Sequence, residues 1–343
     1  MPEASVSIVI CSLNGARGVD RLLRDLAAQT IAPALEIVVV DDGSTDDTSA
    51  VARSHGAVVI RHEVNRGLSA ARNTGVRAAS APIVAFLDDD CRPEPHWAER
   101  LLSAYDEDVM GVGSRIVPTS GPGILGRYLE RNNPLSPLEL DLGRSESLPY
   151  HFLLYLRRGW ASPAPGERRA VYSLVGAGMS FRRQVLLDVE LFDTRFTFGA
   201  EELDLCRRLA RRHPDAKLVL EPSARVVHEF EPSLRDMLRR SRAYGRGSAR
   251  MYRKWSAVRP TFFPLPVAMA ALLALAAVQP LALLAALAAP HAVAPRGLRE
   301  AIARREPARA LDAYVQLARE TWEDVGFLQG LWVYRDLEPE AAT

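Results

Sequence analysis

Lysine is almost missing from this chain: Lys217 and Lys254 are the only two among 43 basic residues, so arginine carries the positive charge. Excess charge of either sign is missing too. The basic residues face 42 acidic ones, leaving a net charge of +1. That excludes a polycation built to coat nucleic acid, and no nucleic-acid partner is expected. Cysteine is scarce. Cys11, Cys91 and Cys206 lie far apart with no CxxC pair, which argues against a disulfide framework or a zinc site and for a reducing compartment. The opening MPEASVSIVI lacks a basic leader and a long apolar segment; it reads as a first strand, and no export is expected. Apolar matter is plentiful. At 48% hydrophobic over 343 residues, the chain can build one large core or two ordinary ones.

The first third alternates between two periods. Short apolar runs at Val6–Ile10, Glu36–Val40, Val58–Ile60 and Ile83–Leu87 read as strands. Between them, Val19, Leu22, Leu23 and Leu26 recur at helical spacing, and Leu68–Ala79 reads as another helix. Strand–helix alternation with near-continuous apolar strands predicts a mainly parallel α/β sheet covered by helices. Ligands in such sheets sit beyond the carboxyl ends of the strands. The polar clusters Ser12–Asn14, Asp41–Ser44 and Asp88–Asp90 all fall at those ends.

Residues 119–170 are rich in Gly, Pro and Arg and weakly periodic, a long excursion of the kind that is usually functional or mobile. Strand and helix patterns return with Val171–Arg182, Glu201–Arg212, Leu218–Leu220 and Arg225–Val227. Ser233–Trp255 reads as a helix with one arginine stripe, through Arg235, Arg239, Arg242, Arg246, Arg250 and Arg253. From Pro260 to Pro295 no Asp, Glu, Lys or Arg appears, and both flanks are basic. The run is too short for two full spans and is split by Pro280. A shallow hydrophobic helical hairpin with both ends on the cytoplasmic face of the membrane fits it, beside anionic lipid; a kinked span and a buried soluble pair are the other readings. The tail from Ala301 is amphipathic helix.

Two acidic clusters carry the candidate chemistry. Alternate residues of an extended chain point the same way, so Asp88 and Asp90 can face one ligand while Asp89 turns aside. Oxygen ligands of this kind suit Mn²⁺ or Mg²⁺ bridging to a substrate phosphate; a solvated acidic turn is the plain alternative. Asp41 and Asp42 read either as turn and cap residues or as acceptors for a nucleobase.

VSIVICSLNGA, EIVVVDDGSTDDT, NRGLSAARNTGV and IVAFLDDDCRPEPHW together resemble successive signatures of family 2 glycosyltransferases of GT-A fold. VGAGMSFRRQVL and LFDTRFTFGAEELDLCRRL resemble that family's acceptor segment and its xED motif. The resemblance spans roughly residues 4–250 and implies an inverting hexosyl transfer from a nucleotide-sugar donor to a glycan. Carried over by position, Ser12, Asn14, Asp42 and Arg72 become nucleoside and diphosphate contacts, with Asp41 sharing that role. Asp88 and Asp90 match the metal-binding pair, and His228 is a late histidine able to reach the metal or diphosphate. Glu202 falls where the family usually has Asp and is the expected general base, with Asp204 its rival. Residues 1–255 are thus read as the catalytic domain and 256–343 as a membrane-associated module, for which a lipid-linked or cell-envelope glycan is the natural acceptor. A non-catalytic sugar-nucleotide-binding protein on the same fold is the alternative.

Overall fold

The structure is a computed structural model that describes residues 4–119, 123–161, 166–196, 199–229, 233–255, 262–337 and 339. The chain begins β1 (Val6–Ser12), α1 (Ala16–Ala27), β2 (Leu35–Asp41), α2 (Thr48–Ser54), β3 (Val58–Arg61), α3 (Leu68–Ala78) and β4 (Ile83–Asp88). It continues β5 (Cys91–Pro93), α4 (Trp97–Ser103), β6 (Val109–Pro118), α5 (Ile124–Arg131), α6 (Leu148–Trp160), β7 (Arg169–Ala170), β8 (Met179–Arg182), α7 (Arg183–Asp188), α8 (Glu201–Arg212) and β9 (Lys217–His228). Four longer elements and a short one close it: α9 (Leu234–Lys254), α10 (Pro264–Ala276), α11 (Ala282–Val293), α12 (Arg296–Arg304) and α13 (Asp312–Val333).

Two compact units result. The first comprises residues 1–119, 133–141 and 165–230; the second comprises 120–132, 142–164 and 231–343. Helix α9, which the sequence pattern groups with residues 1–255, belongs to the second unit.

The first unit is a nine-stranded mixed sheet in the order β3-β2-β1-β4-β8-β6-β9-β5, with β7 on β9. Its first four strands are parallel, as the apolar runs predict, and β8 enters antiparallel between β4 and β6. Register fixes the functional rim: Ser12 lies opposite Asp41, and Cys11 opposite Asp88. Both sheet faces are covered. On one, Val19, Leu22 and Leu26 of α1 and Trp97 of α4 pack with Ile8, Ile10 and Leu87. On the other, Ala71 and Val76 of α3 and Leu205 and Leu209 of α8 pack with Val9, Val38 and Phe86. Each such fully buried Leu or Val contributes about 1.5–3 kcal/mol.

The second unit is helical. Gly245 of α9 and Gly326 of α13 let the two helices touch backbone to backbone: a Cβ on Gly245 would overlap the Glu323 carbonyl, and one on Gly326 the Arg242 carbonyl. The helix propensity that Gly245 and Gly326 forgo, about 1 kcal/mol each, is thereby offset by close packing. The arginine stripe of α9 is divided. Arg235, Arg239, Arg242 and Arg246 are exposed, whereas Arg250 is buried over the Tyr334 ring and Arg253 donates to the Leu331 carbonyl at 3.1 Å. Inside this unit α13 carries a polar cluster. Glu320 accepts from Tyr155 Oη and Gln316 Nε2, both at 2.8 Å; Arg319 pairs with Glu323 at 2.9 Å; Asp324 accepts the Phe263 N–H, just ahead of α10, at 2.9 Å. Burial outweighs the pull of Arg319 and, with Glu320 and Asp324 nearby, pushes Glu323 up to about 7; burial, with Glu320 nearby, pushes Asp324 up to about 6.

The uncharged run forms two short helices, α10 and α11, joined by residues 277–281; its first residues, up to 261, lie outside the described residues. Among the described residues no helix is long and apolar enough to cross a membrane.

Candidate active site

The carboxyl ends of β1, β2 and β4 meet the start of α8 in the first unit. At the end of β1 the chain must turn sharply. Asn14 adopts a left-handed conformation, φ 55°, which Asn tolerates better than most residues. Its side-chain oxygen accepts the Thr45 N–H at 2.7 Å, and its own N–H donates to Ser44 Oγ at 2.9 Å. The β1 and β2 loops are therefore buckled together. Gly15 has no substitute here, because a Cβ would overlap Asp89 Oδ2 and Ser12 Oγ.

The two aspartates ending β2 are heavily hydrogen-bonded. Asp41 is fully buried and accepts from the Ser44 N–H at 2.8 Å and from Ser49 Oγ, with Arg61 at 3.3 Å. Burial alone would raise its carboxyl; the serine hydrogen bonds outweigh that and hold it below the ordinary value. Asp42 accepts the N–H groups of Arg66 and Gly67, both at 2.9 Å, and pairs with His62 Nδ1 at 2.6 Å. His62 Nε2 in turn meets Thr74 Oγ1 at 2.9 Å. This Asp42–His62–Thr74 chain fixes the loop leading into α3. It escapes sequence reading because His62 carries no motif of its own.

The three aspartates after β4 take three directions. Asp89 turns inward to accept from Ser12 Oγ, and burial raises its carboxyl above the ordinary value. Asp88 faces Arg72, its Oδ1 3.6 Å from Nη2. Asp90 lies beside His228, Oδ1 to Nε2 3.2 Å. The cause of that last approach is β5, a three-residue strand invisible to periodicity, whose Cys91 pairs directly with His228 of β9. Asp90, Cys91 and His228 place ligand-type atoms within 4.8 Å of one another. Burial drives the Cys91 thiol well above its ordinary pKa, and it donates to the Ala177 carbonyl at 3.3 Å. It therefore stays a thiol, leaving a carboxylate and an imidazole as the pair fit for a divalent cation.

Arg72 links the rim to α8. It is 2% exposed, packs on the faces of Phe86 and Phe192, and lies so close to Gly176 that a Cβ there would press on Nη2. Its Nη1 donates to Glu201 Oε1 at 2.9 Å. Burial works against its charge, but Glu201 and Asp88 outweigh burial and keep the guanidinium ionised. One buried cation thus joins the aspartate cluster to the acidic start of α8. The partnership with Glu201 was not legible in the sequence, where Glu201 is one of three neighbouring acids.

Those acids differ sharply. Glu201 is buried on Arg72. Asp204 is fully buried and accepts from Arg208 Nε at 2.9 Å, a pair anchored by Arg208 on the Leu191 carbonyl at 2.7 Å. Glu202 is half-buried, and its Oε2 has no hydrogen-bond partner among the described residues. Burial and the adjacent Glu201 charge push its carboxyl up to about 8, against the pull of Arg72. Residues 197 and 198, in the loop before α8, lie outside the described residues.

Known proteins bear on this arrangement. The family described as Glycosyl transferase family 2 matches residues 7–173, and that described as Glycosyl transferase family group 2 matches residues 155–294. The Pre-mycofactocin glycosyltransferase of Mycobacterium tuberculosis is 33% identical over 255 residues, 71% of this chain and 46% of that protein. The Glucosyl-dolichyl phosphate glucuronosyltransferase of Haloferax volcanii is 27% identical over 239 residues, 66% of this chain and 69% of that protein. The chain thus spans about half the length of the first of these relatives. Among solved structures, the mannosyltransferase PcManGT from Pyrobaculum calidifontis, in complex with GDP-Man and Mn²⁺, superposes with a TM-score of 0.56 at 19% identity, covering 96% of this chain and 88% of that one. The expected GT-A fold is met.

Proposed function

Because this chain belongs to glycosyl transferase family 2, we propose that it transfers a hexosyl group, with inversion, from a nucleoside-diphosphate sugar to a hydroxyl of a lipid-linked or cell-envelope glycan. The observation that carries the reading is the Arg72 bridge: one buried guanidinium holds Asp88 on the donor side and Glu201 beside the candidate base. Ser12, Asn14, Asp41 and Asp42 shape the loops that would receive the nucleoside, and Arg72 and Asp88 are assigned to its diphosphate.

Glu202 is assigned the general base rather than Asp204. Asp204 is spent on Arg208, whereas Glu202 keeps an unengaged oxygen. As the acceptor hydroxyl attacks the anomeric carbon, its proton passes to the Glu202 carboxylate and the bond to the diphosphate oxygen breaks. A carboxyl near 8 is a stronger proton acceptor than an ordinary one, once ionised. Asp90 and His228, with Asp88 nearby, would hold Mn²⁺ or Mg²⁺; the imidazole favours Mn²⁺. When bound, the cation neutralises charge developing on the leaving diphosphate. Two relatives carry names consistent with such a donor, a glucuronosyltransferase and a glycosyltransferase.

The test is a panel of nucleotide sugars incubated with the full chain and Mn²⁺. Release of nucleoside diphosphate from one donor, stimulated by an acceptor glycan, is the expected result. Tight donor binding with no release in any pairing would instead mark a sugar-nucleotide-binding protein.

A further inference from the structure

We propose that the second unit docks on an anionic lipid bilayer by inserting the α10–α11 pair into one leaflet. The proposal goes beyond sugar transfer and stands on separate residues.

Helix α11 is inside out, and α10, whose one buried residue is Leu265, leaves Val267, Leu273 and Leu275 49–58% exposed. In α11 the buried positions are Ala282, Ala286 and Pro290, while Leu283, Leu284 and Leu287 are 50–63% exposed. A helix folded against water turns its leucines to the core and its small or polar residues outward. Here the small residues face the protein, as they do where helices meet inside lipid. The turn repeats the pattern, with Val278 at 81% and Leu281 at 66%. No charged residue occurs between 262 and 295, so nothing polar but backbone and His291 or Gln279 breaks the apolar surface. Patches of this kind on soluble proteins mark interaction sites.

Length selects the mode of insertion. Helices of 13 and 12 residues extend about 18–20 Å at 1.5 Å per residue, short of the roughly 30 Å hydrocarbon core but enough to enter one leaflet. The root of the pair is built for the headgroup layer. Trp160 is 53% exposed and carries the Arg299 guanidinium over its ring at 4.8 Å. Helix α12, which follows α11 directly, exposes Ile302 beside Arg299, Arg304 and Arg305. An apolar tip, an aromatic belt residue and a basic amphipathic helix in that order match an anionic leaflet from its core outward. The same basic rim would repel its own image, which argues for lipid over a second copy of the chain as the occupant.

The experiment uses the full chain without detergent. Flotation with phosphatidylcholine vesicles, with and without phosphatidylglycerol, should carry the protein to the vesicle fraction, most strongly with the anionic lipid. An environment-sensitive dye on Val278→Cys should brighten on anionic vesicles and be quenched by brominated acyl chains, while the same dye on Glu107→Cys should not respond. Leu283→Ser, Leu284→Ser and Leu287→Ser together should weaken vesicle binding by at least about tenfold. Because these leucines are exposed, the variant should keep the wild-type melting temperature. Unchanged binding by the triple variant, or a dye at 278 that stays water-like on vesicles, overturns the proposal. So does a lipid-free dimer that hides the dye, which would make a second copy the occupant. None of these readouts requires turnover, so failure here is separate from failure of the glycosyl-transfer reading.

Discussion

Glu201→Gln is the most informative single change at the site. Burial raises the Glu202 carboxyl, the Glu201 charge raises it further, and Arg72 lowers it, with a net value of about 8. The substitution deletes one of the two raising influences. It also removes the countercharge that Arg72 Nη1 meets at 2.9 Å, so more of the guanidinium's field acts on Glu202. Both effects favour the ionised base. A unit charge within about 4–6 Å of a carboxyl is typically worth roughly one to three pH units. Partial exposure of Glu202 and solvent screening reduce this to about one unit. A base acts when ionised, so kcat/KM rises with pH through its pKa. In the variant that rise should move to lower pH, its midpoint falling by about one unit. Initial rates of nucleoside diphosphate release across the pH range, at saturating Mn²⁺, measure it. A midpoint that stays fixed, or moves upward, refutes the assignment of Glu202 and Glu201 alike. In Glu202→Gln the limb should vanish, with transfer down about 10²–10⁴-fold.

Asp204→Asn should behave oppositely. It leaves half-buried Arg208 without its countercharge, at a cost of roughly 1–3 kcal/mol, so the melting temperature should drop while the rate per folded molecule and its pH midpoint hold. Asp90→Ala and His228→Ala should each abolish stimulation by Mn²⁺, and chelator should silence the native chain; full activity in chelator would remove the metal assignment. In the second unit, the raised carboxyls of Asp324, about 6, and Glu323, about 7, bind protons in the folded state that the unfolded chain has already released. The stability they confer is present below the ordinary carboxylate range and lost as pH rises through 6 and 7. Melting temperature should therefore fall across that window, and Asp324→Asn should flatten the fall.

The sequence was most readable where local pattern and tertiary context agree. Strands β1, β2 and β4 are near-continuous apolar runs because both of their faces are covered, and α8 emerged with its bounds intact because Leu205 and Leu209 recur at helical spacing against one face. It was least readable where pairing, not pattern, makes the element. Strand β5 is three residues ending in Pro93, and only its ladder with β9 defines it; yet it brings Asp90 to His228. Strand β9 looked like two strands because Pro222 interrupts it, and the register with β6 does slip there. The division of α9 was hidden for a similar reason. Six arginines at one spacing look alike, and only the partner helix α13 decides which of them are covered. At the site, the residues were legible one by one, but their couplings were not. Arg72 and Glu201 are 129 positions apart, and no local signal predicts that distance closing.

The place of β8 in the sheet also sets an order of assembly. Among the described residues, strand β4 has β1 on one side and only β8 on the other, and β8 is the sole strand linking β4 to β6. A ribosome delivers Met179 about ninety residues after the end of β4, some 5–20 s later at ordinary elongation rates. Through that interval the β3-β2-β1-β4 half of the sheet is a parallel layer with an open edge, whose unpaired N–H and C=O groups invite any other strand. The nascent chain is thus most exposed to mispairing before the acids of α8 exist, and shortened chains ending ahead of Met179 should depend on chaperones that cover the β4 edge.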